Sequence, residues 1–387
     1  MVKLGVAIIG LGGISSVHIE GYLTFENECK IKVICDNNKE KAEKVLLDLA
    51  LDNVQVISDW KQLLSDPKVD LVSICLPPGL HAEIAIALLG AGKNVLIEKP
   101  MALSLRDCDQ IIKTAKENNV IVSVVAQNRY KVPTMKVKQL ISEGIAGQIH
   151  TSVVNSLWWR GENYYDIWWR GTWESEGGGC MMNHAVHHID LLQWMNGMPK
   201  KVTAVITNLA HSNSECEDHA IAILQYPNMI AQVTASLLAH DEEQEMVFQT
   251  KKARLSIPWK PAASKALENG FPEKDVQFLK KIQARYDAIE EIKYEGHTGQ
   301  IQNVIKAING EENLMVDGHE GRNSIELIMA VYKSATTGKT VELPLGIDDT
   351  FYDTDSFVQT MPHFNEKTIS TAGFKENVIT LGRDICK

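Results

Sequence analysis

Val6-Ala-Ile-Ile-Gly10-Leu-Gly12-Gly13-Ile14-Ser15 is the stretch from which the fold is read. A short apolar run rich in β-branched residues passes straight into glycines, and a segment of helical character follows. The turn matches G-x-G-x-x-G except that Ser15 stands in the place of the third glycine. In such a turn the first glycine permits the tight bend, and the second lets backbone N–H groups approach a pyrophosphate at the helix N-terminus. The third packs helix against strand, where a small Ser also fits.

Working outward, the next β-like run ends at Ile34-Cys35-Asp36, 21 residues beyond Ser15. A carboxylate there can accept hydrogen bonds from the adenine ribose hydroxyls of a dinucleotide. Asn37 and Asn38 follow with no immediate Arg to hold a 2′-phosphate, which favours NAD over NADP, although Lys39 and Lys41 lie close. An Asp that merely caps the next helix is the plainer alternative. Runs at Leu71–Leu76, Asn94–Ile97 and Val120–Val125 then alternate with helical-period segments at Lys39–Leu49, Ala82–Leu89 and Leu105–Asn118. Buried runs separated by helices predict an α/β class, with an N-terminal Rossmann domain over residues 1–128 built on a doubly wound parallel sheet.

After about residue 145 the pattern changes. Gln148–Trp158, Lys201–Asn208, Ala220–Gln225, Met229–Leu238 and Glu245–Thr250 look like longer strands with no helix between each pair. Helical signals return at Asn183–Met195, Gly299–Asn309 and Gly321–Thr337. This predicts a C-terminal α+β domain, residues 129–345, with a large, mostly antiparallel open sheet. From Gly346 to Lys387 periodicity is weak, and an extended tail wrapping the domain or a neighbouring subunit is expected.

Composition narrows the function. The 387 residues suit two domains, and 44% apolar with 23% charged residues excludes wholesale disorder. Thirty-nine Lys and Arg against 49 Asp and Glu give a net charge of −10, and no basic block is present to grip nucleic acid. No run approaches the roughly 20 apolar residues of a membrane span. Met1–Gly10 could pass for a short signal peptide, but it has one Lys, no small-residue cleavage site and a run into glycines, so it reads as a buried first strand. Cys29, Cys35, Cys75, Cys108, Cys180, Cys216 and Cys386 are odd in number and scattered, without C-x-x-C. Reduced thiols in a cytoplasmic protein are expected from that usage.

Three clusters carry chemistry. Asn94–Ile97 runs into Glu98-Lys99-Pro100, and at the carboxyl end of a parallel strand Lys99 should point at the cofactor crevice rather than into solvent. Gly177-Gly-Gly-Cys180-Met-Met-Asn183-His184-Ala-Val-His187-His188-Ile-Asp190 gathers three of the twelve histidines. On a regular helix Asn183, His187 and Asp190 share one face, and His184 and His188 form a second pair one turn apart. That spacing can bind zinc, but no H-E-x-x-H glutamate and no clear third ligand accompany it, so no metal is expected. Five of the eight tryptophans lie between Trp158 and Trp173, interleaved with Tyr164, Tyr165, Asp166 and Arg170. Aromatic faces with polar rims suit a sugar; a core corner or a subunit interface would look the same locally, and the adjacent glycines and histidines favour the pocket.

Taken in order, these motifs resemble the glucose-fructose oxidoreductase/inositol dehydrogenase (Gfo/Idh/MocA) family. The resemblance runs from the first strand to about Pro344 and includes Asp317-Gly-His-Glu-Gly-Arg322, Ser334, Gly338 and Leu343-Pro344. It implies an NAD-dependent enzyme in which Lys99 and His187 flank the sugar or polyol carbon facing the nicotinamide. The usual D-x-x-x-H is Asn183-x-x-x-His187 here, which resembles members that oxidise sugars, nucleotide sugars or glycosides. Asn183 can orient a hydroxyl but cannot take its proton, so Lys99, His187 and Asn183 form the catalytic set with His187 or Lys99 as the base. Cofactor contacts are expected from Gly10, Gly12, Gly13, Ile14, Asp36 and Asn37, and from Leu76, Pro77, His81, Glu98, Lys99, Gln127 and Arg170. Substrate contacts are expected from Arg129, Tyr165, Trp168, Asn183, His184 and His297, the last of which could equally cap or pack its helix.

The expected reaction is oxidation of a secondary hydroxyl, C3 of a pyranose or glycoside, by hydride transfer to NAD. A glycosidase that recycles NAD through a 3-keto intermediate would use the same Lys and His, and an inositol dehydrogenase is a further alternative. A catalytically silent sugar or NAD sensor is disfavoured by Lys99 and His187 both being present. A homo-oligomer, dimer or tetramer, is implied by the family, with no nucleic-acid or membrane partner.

Overall fold

In the computed structural model, which describes residues 3–374 apart from 50 and 52, the glycine turn joins β1 (Leu4–Ile9) to α1 (Ser15–Thr24). The chain continues through β2 (Cys29–Cys35), α2 (Lys39–Asp48), β3 (Gln55–Ile57), β4 (Leu71–Ile74), α3 (His81–Gly90), β5 (Asn94–Ile97), α4 (Leu105–Glu117) and β6 (Val122–Val124). All six strands are parallel, in the order β3-β2-β1-β4-β5-β6. The order reverses between β1 and β4, leaving a crevice at their carboxyl ends where an α/β sheet takes its ligand. Every residue of β4 is buried, as are Val95, Leu96 and Ile97 of β5. Strands covered on both faces lose alternation and read as plain apolar runs. The three-residue β3 was too short to show a period.

The second half contains α5 (Val132–Ser142), β7 (Ile149–Leu157), α6 (Val186–Asn196), β8 (Lys201–Thr207), β9 (His219–Gln225), β10 (Ile230–Ser236), β11 (Gln244–Thr250) and β12 (Arg254–Ile257). A separate ribbon of β13 (Ser264–Ala266) and β14 (Pro272–Lys274) follows, then α7 (Val276–Asp287), α8 (Gly296–Ile308), α9 (Gly318–Thr337), β15 (Val341–Glu342) and α10 (Thr354–Thr360). The large sheet runs β12-β11-β7-β10-β9-β8-β15 and is antiparallel except for the parallel pair β7 and β10. Along β8 and β9, Val202, Ala204, Ala220, Ala222 and Leu224 are buried while their alternate neighbours face out. That alternation marks one covered and one open face. On the covered side, the backbone N–H of Ala204 donates to Ser334 Oγ of α9 at 2.9 Å.

Not all of residues 129–345 packs on the second sheet. Helix α8 returns to the first, where Ile301, Val304 and Ile305 share a core with Val6, Ile8, Ile19 and Tyr22. Gly21 of α1 makes the close approach possible, since a Cβ there would sit 2.5 Å from Ile301 Cδ1. The expected tail is not extended throughout. Phe351, Phe357 and Met361 are buried, and α10 precedes the extended part. Residues 375–387, with Cys386, lie outside the described residues; the other six cysteines are free and buried.

Candidate active site

The dinucleotide turn is built as its sequence suggests. Gly10 has φ of 86°, and a Cβ on it would lie 2.6 Å from the carbonyl oxygen of Cys75. Nothing lies within 4 Å of a Cβ built on Gly12, so the space above that backbone is open. Ser15 is buried and its Oγ donates to the Gly12 carbonyl at 2.8 Å, which tightens the turn while fitting where glycine usually packs. Asp36 accepts from Leu11 N at 2.8 Å and from Asn38 N at 2.9 Å, and Asn38 caps α2. Each Asp36 oxygen keeps a further acceptor site for a ribose hydroxyl. On the other lip, the His81 ring nitrogens lie 2.8 Å from the Leu76 and Pro100 carbonyls. Burial lowers the His81 pKa, and the Pro100 and Leu76 carbonyls oppose it. Buried Gln127 Oε1 has no partner. An open glycine turn, a helix N-terminus, a strand-end acid and an orphaned amide oxygen fit a dinucleotide.

Beside this crevice, Lys99 Nζ donates to the carbonyl oxygen of Asn183 at 3.0 Å and to its Oδ1 at 3.2 Å. The Asn183 Nδ2 donates to Glu176 Oε1 and, at 3.3 Å, to Tyr164 OH, so the amide orientation is fixed from both ends. Arg170 donates to Tyr164 OH, lies 3.3 Å from Glu176 Oε1, and stacks over the Tyr164 and Trp169 rings. His187 lines the same pocket as Lys99. Burial, helped by the Arg170 charge and opposed by Glu98 and Glu176, lowers the Lys99 pKa. Burial and the Lys99 charge hold His187 well below its usual value, so it is neutral at pH 7.

Glu98 is the floor of the site. His18 Nε2 lies 2.9 Å and His297 Nε2 3.3 Å from its Oε1. Burial would push this carboxyl up, but the two imidazoles hold it well below the usual range. These three side chains have the composition of a metal site. Hydrogen bonding accounts for them otherwise: Tyr22 OH is 2.6 Å from Ser73 Oγ, which is 3.1 Å from His18 Nδ1. Tyr22 can donate to Ser73, Ser73 to His18 and His18 to Glu98, which satisfies His18 without an ion, while buried His297 Nε2 makes no hydrogen bond.

Residues 4–126 match the oxidoreductase family's NAD-binding Rossmann fold, and residues 138–343 match its C-terminal alpha/beta domain. The chain belongs to the Gfo/Idh/MocA family. Among Gfo/Idh/MocA proteins and related structures it is similar to the D-glucoside 3-dehydrogenase of Escherichia coli (strain K12), 24% identical over 360 residues covering 88% of this chain and 97% of the relative. The scyllo-inositol 2-dehydrogenase (NADP(+)) of Bacillus subtilis (strain 168) is 31% identical over 232 residues, 59% of this chain and 61% of the relative. The WlbA dehydrogenase from Bordetella pertussis, solved with NADH and UDP-GlcNAcA, superimposes with a TM-score of 0.76 at 29% identity. That match covers 89% of this chain and 99% of that one. No helix among the described residues is long and apolar enough to cross a membrane.

Several residues sit elsewhere than the sequence suggests for a Gfo/Idh/MocA site. Arg129 is fully buried in an ion pair with Asp190 at 2.7 Å and Glu320 at 2.6 Å, so it joins elements instead of facing the cleft. Tyr165 is 1% exposed, edge-on to Tyr164 and His211, whereas Tyr164 takes the site position. A 3₁₀ turn over Glu162–Asp166 separates these neighbours. Trp173 is core, and Trp168 is 48% exposed at the surface. A π-turn at Met181–Ala185 precedes α6, so Asn183, His187 and Asp190 do not share one regular helical face. His184 lies 3.4 Å from Tyr164 OH, and both His184 and His188 are held below their usual pKa by burial. His297 does not cap its helix; it packs against the His18 ring and faces Glu98. The glycines 177–179 let the backbone pack closely on Leu103, Tyr332 and Glu217. Side chains on Gly178 and Gly179 would overlap Tyr332 and the Glu217 backbone, and the Glu217 carboxylate accepts from Gly179 N and Met181 N. His18, Glu176 and Glu217 were not singled out from sequence, and Tyr164 was named only within its aromatic cluster, not as a contact. For Glu176, its place directly before the triple glycine was the one available signal.

Proposed function

We propose that the protein oxidises a secondary hydroxyl, that at C3, of a pyranose sugar or glycoside with NAD as the hydride acceptor. The observation that supports this most is Lys99 donating to Asn183 in the pocket that His187 also lines, at the lip of the dinucleotide crevice. NAD would be held by Gly10–Ser15 and Asp36, with Gln127 beside it; when bound it supplies a carbon that accepts hydride. His187, neutral at pH 7, takes the hydroxyl proton. Lys99 donates to the oxygen as negative charge develops on it. Asn183, Tyr164 and Arg170 orient neighbouring hydroxyls, which puts Arg170 on the substrate side instead of among the cofactor contacts its sequence suggested, and Glu98 with its two histidines keeps Lys99 in place.

Charge supports a neutral substrate over a diphosphate sugar. Arg170 is paired with Glu176, Arg160 with Glu242, and Arg129 with Asp190 and Glu320. Assembly as a dimer or tetramer through the open sheet face belongs to the same reading. Val205 and Ile221 are paired across β8 and β9 there and are exposed, as is Ile230 of β10.

The test is NADH fluorescence with excess NAD and a panel of hexoses, glycosides, inositols and nucleotide sugars. NADH formed with hexoses or glycosides, and lost in Lys99→Ala and His187→Ala, is the expected result. Turnover of inositols alone would replace the sugar reading. Aglycone released without net NADH would mean a cofactor-recycling glycosidase, and tight NAD binding with no reaction on any substrate would favour a sensor.

A further inference from the structure

The C-terminal segment lies beyond residue 343, where the match to the family's C-terminal domain ends. Its first part is anchored: Phe351, Phe357 and Met361 are buried, and Asp353 pairs with Arg106 at 2.6 Å. From Pro362 onward it runs extended, and its hydrogen bonds are to the loop that carries Tyr164 and Arg170 or to the neighbouring 211–215 segment. Thr371 N donates to the Asp166 carbonyl at 2.7 Å, and the Thr371 carbonyl accepts from Trp168 N at 2.9 Å. Residues Ile167 and Thr371 thereby form an isolated parallel bridge. Lys367 Nζ donates to the Tyr165 carbonyl. Trp173 Nε1 donates to the Pro362 carbonyl at 3.0 Å at the far end of the same loop.

One buried side chain joins strap and loop. Asn213, 4% exposed, accepts from Thr368 N at 2.8 Å and Ile369 N at 2.9 Å through Oδ1. Its Nδ2 lies 3.0 Å from the Ile369 carbonyl, 3.0 Å from Asp166 Oδ1 and 3.2 Å from the Tyr165 carbonyl. The loop itself has one 3₁₀ turn and belongs to no sheet ladder, so these contacts satisfy backbone groups of residues 165–168 that no regular element satisfies.

We propose that residues 362–371 are a strap that sets the position of the substrate loop, with Asn213 as its positioning residue, and so tune affinity for the sugar and not for NAD. The physical ground is that Tyr164 and Arg170 sit within six residues of the bridge and meet Asn183 and Glu176 at the reacting end. A loop fixed in advance loses less conformational entropy when substrate binds. The cofactor turn is formed by β1, α1 and the end of β2, and among the described residues none of these hydrogen-bonds to the strap.

The role in substrate affinity rests on the sugar-oxidation reading, so the experiment has one arm that needs no substrate. In the full chain, Thr371→Pro removes the N–H that the Asp166 carbonyl accepts at 2.7 Å, while Thr371→Ala keeps it and gives up only the longer Oγ1 bond to the same carbonyl at 3.2 Å. Hydrogen exchange of residues 163–170 is expected to speed up by about ten-fold or more in Thr371→Pro and in Asn213→Ala, and to stay near wild type in Thr371→Ala. In the kinetic arm, Thr371→Pro raises KM for the sugar by about ten-fold, with NADH affinity within about two-fold of wild type.

Unchanged exchange in Thr371→Pro and Asn213→Ala would overturn the strap. Faster exchange with an unchanged substrate KM would reduce it to a structural tie and overturn its role in affinity. Loss of NADH affinity in parallel with substrate affinity would likewise overturn it, as general destabilisation. If no sugar is turned over, the function reading fails while the exchange arm still decides the strap.

Discussion

At Lys99 and His187 the same force, burial, acts on two bases of different strength. Each is made harder to protonate, and the Lys99 charge adds to the effect at His187. The consequence for a reaction in which His187 accepts a proton is a pH profile whose acid limb lies below 6.5, the ordinary imidazole value, so kcat/KM holds level from pH 7.5 to 6.5 and falls beneath that. An acid limb centred above 7 would remove His187 from the role. Lys99→Ala is expected to lower kcat by about 10²- to 10⁴-fold while NADH still binds. Burial acts on stability through His188 as well, whose pKa it lowers to about 4. The unfolded chain takes a proton near 6.5 and the folded chain does not, so this contribution is complete above 6.5 and lost as pH falls from there towards 4. The slope is about 1.4 kcal/mol per pH unit for such a group, and urea unfolding at pH 7.5 and 5.5 should show a smaller difference in His188→Gln. Lys99 was legible in sequence because a strand end, a charged pair and a proline fixed where it would emerge. Tyr164 was not, because two adjacent tyrosines are distinguished only by a 3₁₀ turn that no periodicity announces.

Elements are locked to one another by Arg129. It sits in the short turn after β6, while Asp190 belongs to α6 and Glu320 to α9, so one guanidinium ties three elements. Its Nε and Nη2 donate to the two Asp190 oxygens at 2.8 and 2.7 Å, and its plane stacks on Trp194. Asp190 lines the same pocket as His187, one turn of α6 away. Arg129→Met would leave a buried carboxylate without its partner, and a loss of about 3–5 kcal/mol in urea unfolding is expected, partly recovered in Arg129→Met/Asp190→Leu. A variant that kept its stability and lost only substrate affinity would instead return Arg129 to the substrate-binding role its sequence position suggested. The register of α6 was hidden for a related reason. A regular helix was read through Asn183 and His187, but a π-turn stands there, entered where Glu217, from the loop before β9, accepts from Gly179 N and Met181 N, a tertiary contact that local spacing does not carry.

For the whole molecule, the division at residue 128 came from a change of pattern, from strands alternating with helices to strands without them. The pattern located the parallel sheet correctly but not everything that covers it. One face is completed by α8, whose Ile301, Val304 and Ile305 are each no more than 1% exposed against α1 and the strands. Gln300 of the same helix accepts from Ala126 N at 2.9 Å and donates to the Val124 carbonyl at 2.7 Å. On the other side α9 reaches β6, where Ser123 Oγ donates to the Val316 carbonyl at 2.8 Å and a Cβ on Gly321 would sit 2.6 Å from Val124. The periodicity of α8 was visible in the sequence; the sheet it belongs to was not, because periodicity reports that a face is buried and not against what. Each of the three apolar side chains lost from the cover exposes a partner surface worth about 1.5–3 kcal/mol, a large share of a small domain's stability. Residues 1–128 expressed alone are therefore expected to melt without a cooperative transition and to gain no stability from NADH. The full chain, in contrast, should melt as one unit whose midpoint NADH raises, since ligand bound at β1 then stabilises a sheet closed by helices from both halves. Differential scanning calorimetry of the two, with and without NADH, decides it: a sharp, NADH-sensitive transition in the fragment would show that the first sheet folds without α8 and α9.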